Sequence, residues 1–270
     1  MSHAAALERD ATRSLLVTEQ LSSQLAELCR DHDQPFIDTA GNAYLNEPGL
    51  FVYVNRSGTA RKDKTKSSPT ASRAFREHGL RIIYSCVVIP GLLQSTYREI
   101  ARASGAALGT VSGTLSDLKT HGFLADLKGR RHWTDRQRLM QAWMVNYPLA
   151  LRPKLNPRRF RANTPNWMAS ADPLPPGLQW GGEMAASKLE AELVPITATV
   201  YARSSVAQFA RTARLVADPD GPIEVLDTFW EATEQDTDIV SPLLVCADLL
   251  YYGDPRTVAA ARMLHERYLA

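Results

Sequence analysis

Cysteine is scarce: Cys29, Cys86 and Cys246 are the only three in 270 residues. They are odd in number, far apart and set in apolar surroundings, so neither a disulfide framework nor a zinc site is expected, and they read as reduced core thiols. Long apolar runs are missing as well. No stretch approaches the length a bilayer span needs, and the opening MSHAAALERDATRS lacks the basic-then-apolar order of a signal peptide, so a cytoplasmic protein without membrane contact is expected. His3, His32, His78, His121, His132 and His265 lack metal-ligand spacing, and no Ser/His/Asp or Cys/His arrangement is present. Gly181-Gly182 has neither the spacing nor the lysine of a phosphate loop; a tight entry into a helix is expected there instead. No catalytic residue, metal ligand or cofactor is therefore expected.

Charge is present, but unevenly placed. The net +2 conceals a band from Arg56 to Arg161 with 21 Lys and Arg against 6 Asp and Glu, or +15, between flanks of −5 (1–55) and −8 (162–270). A local excess of that size is the footprint of a phosphate-binding surface, a solvated charge run being the blander alternative.

Within the band, TYREIARASGAALGTVSGTLSDLKTHGFLADLKGRRHW (96–133) has a distinct order. Tyr97, Ile100, Ala101 and Ala103 recur at helical spacing, and Ser104-Gly105 supplies a turn. A second helix carries Leu108, Val111, Leu115 and Leu118 as its inward stripe, leaving Gly109, Thr110, Ser112, Gly113 and Ser116 outward. After His121-Gly122, Phe123-Leu124 begins an extended run, Lys128-Gly129 reads as a turn, and Arg130, Arg131 and His132 return toward Trp133. Helix, turn, helix and basic hairpin is the order of a winged helix-turn-helix, whose second helix enters the DNA major groove while the wing lies on phosphates. The alternative is a helix pair kept only for packing. The expected DNA-binding residues are Thr110, Ser112, Gly113, Ser116 and Lys119 on the helix and Lys128, Arg130, Arg131 and His132 on the wing. Arg130 and Arg131 together should account for about 2 units of the salt-dependence slope.

The fold class is α+β, in an expected sequence of five parts. Residues 1–55 form a small unit of short strands and one helix, 56–72 a basic linker, 73–150 the winged helix-turn-helix, 151–176 a Pro/Arg-rich linker, and 177–270 an acidic α+β domain. Pro148 is expected to end the helix that starts at Asp135, and Arg158, Arg159 and Arg161 beside Phe160 to run extended, either along a nucleic-acid backbone or with Phe160 as an anchor. Ser241 and Asp254, each before a proline, are helix N-cap signatures. Glu19 and Asp38 sit at strand ends where a metal-dependent nuclease would hold carboxylates, but the Asp-x-Lys or Glu-x-Lys triplet such a site needs is missing from the next strands.

Several segments, in order, resemble a known family. PFIDTAGNAYLNEPGLFVYV, then SRAF, YREIARASGAALGTVSGTLSDLKTHGFL, WGGEMAASKLEAEL with VPITATVYA, and SPLLVCADLLYYGDPRTVAAARMLHERYLA are similar to bacterial type IV toxin-antitoxin antitoxins of the AbiEi kind. The resemblance implies a winged-helix regulator that represses its own operon and a C-terminal part that antagonises a nucleotidyltransferase-like toxin. It also implies that the N-terminal unit is a nuclease-like remnant without catalytic groups. Partners would then be operator double-stranded DNA and a cognate toxin, with a homodimer open. An orphan regulator without a toxin and a metal-dependent nucleic-acid enzyme are the alternatives. The chain departs from its relatives in two places: Ala107 stands where they often cap the recognition helix with Ser or Thr, at a cost of about 1 kcal/mol, and Gly113 stands where a longer polar side chain commonly reaches a base.

Overall fold

A computed structural model describes residues 15–18, 21, 23–39, 41–47, 50–54, 72–164, 167–171, 173–189, 191–203, 205–231 and 237–270. Helices and strands are mixed in two units, residues 1–72 and 73–270. The basic linker expected over 56–72 lies, but for Ser72, outside the described residues, as does Glu19. No helix among the described residues is long and apolar enough to cross a membrane.

In the first unit β1 (Leu16–Thr18) and β2 (Phe36–Asp38) are parallel, with α1 (Ser23–Asp31) between them in sequence. β3 (Ala43–Glu47) and β4 (Leu50–Val54) extend the sheet antiparallel. Phe36, Tyr44 and Tyr53 are register partners, so they share one face, and with Leu21, Ala26 and Cys29 they make a small core. Asp38 is buried in the turn region. It accepts hydrogen bonds from the amides of Leu21 (3.0 Å) and Asn42 (2.8 Å) and from Asn42 Nδ2 (2.7 Å), which ties its carboxylate to the folding of two loops.

The second unit opens with a 3-10 turn (Arg73–Phe75) packed on α2 (Glu77–Val88); a Cβ on Gly79 would lie 2.3 Å from the Ala74 carbonyl oxygen, so only glycine permits that approach. Then come α3 (Tyr97–Ser104), α4 (Leu108–Thr120), the hairpin of β5 (Leu124–Leu127) and β6 (Arg130–Trp133), and α5 (Arg136–Asn146). Beyond α5 the structure departs from the expected linker. Pro148 does not end the helical path, which continues through a π-type turn (Tyr147–Leu151) and a 3-10 turn (Arg152–Lys154). Next, β7 (Arg158–Ala162) enters a five-stranded sheet between β10 and β11.

The elements that complete this sheet and its cover are α6 (Trp167–Ser170), β8 (Leu178–Gly181), α7 (Gly182–Lys188), β9 (Ala198–Ala202), α8 (Val206–Thr212), β10 (Leu215–Ala217), β11 (Ile223–Asp227), α9 (Pro242–Tyr252) and α10 (Pro255–Tyr268). Strand order is β10-β7-β11-β9-β8, with β9 and β11 parallel and the other neighbours antiparallel. Ser241 and Asp254 cap α9 and α10 by accepting from amides in the first turn. The segment 158–162 forms a strand laddered on both sides, to β10 and β11, and each of its arginines meets a carboxylate remote in sequence. Arg158 pairs with Asp227, Arg159 with Glu224 (3.7 Å) and Arg161 with Asp218 (3.7 Å), while Phe160 is buried as an anchor. Each of those arginines thus has a carboxylate neighbour within the chain, while Arg159 and Arg161 stay exposed.

Helices and sheet in this unit share one core, where the sequence suggests two domains on a linker. Tyr84 of α2 stacks on Trp143 of α5 (5.4 Å between centroids) and meets Phe229 (4.8 Å) and Trp230 (5.4 Å) from the segment after β11. Beside them lies a buried polar network. Arg152 pairs with Glu224 and, through Nε, with Asp248 (3.4 Å); Tyr201 donates to Asp248 (2.9 Å), and Tyr147 and Tyr201 share a hydrogen bond of 2.6 Å. Burial raises the Asp248 carboxyl to about 6 against the opposing pull of Arg152, and it pushes both tyrosine hydroxyls well above their usual value. Gly181 stands against this network: a Cβ there would come within 2.6 Å of the Tyr201 ring and 2.8 Å of Asp248 Oδ2. Gly182 opens α7 at φ 49°, which fits the tight helix entry read from the glycine pair.

Candidate nucleic-acid interface

Thr96 starts α3 with a reciprocal cap. Its hydroxyl accepts from Glu99 N (3.3 Å), and its own N–H donates to Glu99 Oε2 (2.7 Å); these bonds hold the Glu99 carboxyl below the ordinary range. Gly105 ends the helix at φ 63°, a left-handed conformation that glycine adopts at no steric cost, and turns the chain into α4. Ala107 gives α4 no side-chain cap, so the first amides of that helix lack a capping acceptor.

The inward face of α4 is Val111, Leu115 and Leu118, all fully buried, with Thr114 beside them. Leu108 does not belong to this stripe as expected. It is 46% exposed although its azimuth lies within about 20° of buried Leu115, because it is the first residue of α4 and stands at the open end of the helix. Gly109, Ser112 and Ser116 are exposed, and Thr110 and Gly113 are half-buried. A Cβ on Gly109 or Gly113 would meet nothing within 4 Å, so packing does not demand either glycine. The outer surface of α4 is therefore low and bears hydroxyls. Asp117, on the flank, accepts from the Ala74 amide (2.9 Å) and faces His121 Nδ1 (3.4 Å), fastening the helix to the turn before α2.

Lys128 (φ 52°) and Gly129 (φ 77°) both occupy the left-handed region, as a two-residue turn whose twist matches the strands requires. The register pairs Leu127 with Arg130 and Asp126 with Arg131. Strand alternation then separates the basic residues: Arg130 and His132 are exposed, while Arg131 faces the helices. Its Nη2 donates to the Ser95 carbonyl (2.6 Å), its guanidinium lies over the Tyr97 ring (5.3 Å), and Nη1 is buried with no hydrogen-bond partner. Gln94 clasps the Arg131 backbone at both ends, accepting from its N–H (3.1 Å) and donating to its carbonyl. The wing is thus latched to the segment before α3.

Of the nine residues the sequence nominates, Thr110, Ser112, Gly113 and Ser116 lie along α4, and Lys128, Arg130 and His132 at the exposed side of the hairpin. Lys119 and Arg131 are committed within the chain, since Lys119 Nζ pairs with Asp126 of β5. Sequence periodicity does not single out Gln94 or the exposed Tyr97, and it puts the exposed Leu108 in an inward stripe. No spacing signal marks Gln94, whose role depends on a strand 37 residues away.

A family described as "Transcriptional regulator, AbiEi antitoxin, Type IV TA system" matches residues 132–270, just over half of the chain. No curated protein and no solved structure matches it. The matched region runs from the last residues of the hairpin through the five-stranded sheet and α10, and on that match the chain belongs to the AbiEi antitoxin family of transcriptional regulators of type IV toxin-antitoxin systems.

Proposed function

We propose that the chain binds operator double-stranded DNA directly, with α4 in the major groove and the β5–β6 hairpin along the backbone, and so represses the operon that encodes it. The observation that carries this reading is the low, uncovered outer face of α4 lying in the same module as the exposed cations Lys128 and Arg130. Uncapped amides at the start of α4 add donors for a phosphate. Because the family match begins at residue 132, α3, α4 and the tip of the hairpin lie outside it, and the DNA reading rests on geometry and charge.

The antitoxin activity of the family is proposed to act on a nucleotidyltransferase-like toxin through the acidic C-terminal part, whose net −8 over residues 162–270 suits a basic partner surface. Selection of genomic fragments with the full chain, followed by salt titration of the selected duplex, tests the DNA reading; binding without sequence preference and without salt dependence would remove it. Co-expression of the full chain with the toxin encoded beside it should restore growth. Unrelieved toxicity with a folded, expressed chain would favour an orphan regulator. A fragment starting after β7 is unsuited to this test, because it lacks a strand that lies between β10 and β11.

A further inference from the structure

We infer that Leu108 is the base-reading residue of α4, and that it reads the C5 methyl of a thymine in the major groove; this rests on the DNA-binding reading given above. Consider what else α4 can offer a base edge. Every side chain on the helix long enough to make a bidentate contact is already engaged: Asp117 with the Ala74 amide and His121, and Lys119 with Asp126. The groups left facing outward are Gly109, Thr110, Ser112, Gly113, Ser116 and Thr120, none longer than a hydroxyl. Guanine and adenine are usually recognised by Arg, Lys, Asn or Gln reaching two acceptors or a donor and acceptor together, and α4 has none free for that purpose.

Leu108 is the exception to this small face. It stands in the first turn of α4, 46% exposed, and lines an open concavity with Thr96, Tyr97, Arg98, Gly109 and Ser112, between the starts of α3 and α4. Tyr97, 36% exposed, continues the apolar surface and is fixed from the far side by the Arg131 guanidinium. An isolated exposed leucine would need no explanation. This one is part of a shaped, mainly apolar hollow at the helix end that recognition helices direct toward bases. Exposed Arg98, Lys128 and Arg130 make a polyanion a better occupant than an apolar protein face. In the major groove only one base edge presents an apolar group, the thymine methyl.

The test uses the full chain and a duplex selected from a random library, in which each thymine is replaced in turn by deoxyuridine, removing the methyl and keeping every hydrogen-bonding group. At one or more positions binding should weaken about fourfold, the worth of about one methyl-sized group withdrawn from water. In Leu108→Ala, which alters an exposed side chain and should leave the melting temperature unchanged, that sensitivity should vanish while the salt dependence of binding persists. Equal binding of every deoxyuridine duplex, or methyl sensitivity that survives in Leu108→Ala, overturns the inference and leaves DNA binding standing. A change of oligomeric state in Leu108→Ala without loss of methyl sensitivity assigns the hollow to a second copy instead and also overturns it. Absence of binding to any duplex removes the DNA reading and the inference together.

Discussion

Arg130 and Arg131 are adjacent on β6, and truncating them one at a time is expected to give two unlike outcomes. Arg130 is exposed and, among the described residues, enters no ion pair, so in the proposed complex it meets one phosphate. Each neutralised phosphate contributes about 0.9 to the slope of log K against log salt, so Arg130→Ala should flatten that slope by about 0.9 and leave thermal stability unchanged. Arg131→Ala instead removes a charged hydrogen bond to the Ser95 carbonyl and a stack on Tyr97, while the Gln94 clasp on the backbone remains. For a half-exposed site, the two lost contacts are worth about 1–2 kcal/mol together. In a unit of this size that corresponds to a melting temperature about 2–8 °C lower, with the salt slope retained. Fluorescence anisotropy of a labelled duplex at four or five salt concentrations, paired with thermal melts, reads both quantities. If Arg131→Ala lost as much slope as Arg130→Ala and melted like the parent chain, the inward assignment of Arg131 would be wrong and the expected 2 units for the pair would return.

Two glycines that the sequence presents alike should respond in opposite directions. Gly113→Ala enters open space on a helix and should raise stability by about 0.5–1 kcal/mol, whereas Gly79→Ala must displace backbone at Ala74 and should cost about 1–3 kcal/mol; equal shifts in urea midpoints would contradict both placements. Asp248 should make stability depend on pH against the usual sense for a carboxylate. Its folded value of about 6 lies above the ordinary 3.8, so between those values the folded chain binds more protons than the unfolded one, and stability falls as pH rises through that window. Relative to Asp248→Asn, which cannot titrate, the parent chain should therefore gain stability on going from pH 7 to pH 4, on the order of 2 kcal/mol. A difference between the two that does not change with pH would show that Asp248 is not held as a desolvated acid.

Local signals carried much of the fold. The short strands of the first unit, the two helices and turn of the winged module, the hairpin turn at Lys128-Gly129 and the caps at Ser241 and Asp254 are all set by neighbours within a few residues. Periodicity, glycine at positive φ and capping chemistry therefore suffice to read them. The same signals misplaced Leu108, because a stripe of four apolar residues at helical spacing does not say how far along the helix the packed neighbours reach.

Residues 151–176 show most clearly what lay beyond the sequence. Three prolines and five basic residues in LRPKLNPRRFRANTPNW read as an extended connection, and composition offers no reason to think otherwise. They form a turn and an inner strand: Arg152 is buried against Glu224 and Asp248, 72 and 96 residues away, β7 ladders with β10 and β11, and Phe160 is buried. The inward turn of Arg131 and the clasp of Gln94 are of the same kind. Outside that segment the sequence by itself determined most element types and turns, and throughout it determined the placement of positive charge along the chain. Tertiary structure alone decided which of those charges remain free for a partner, since a cation's availability depends on the carboxylates and carbonyls that folding brings to it.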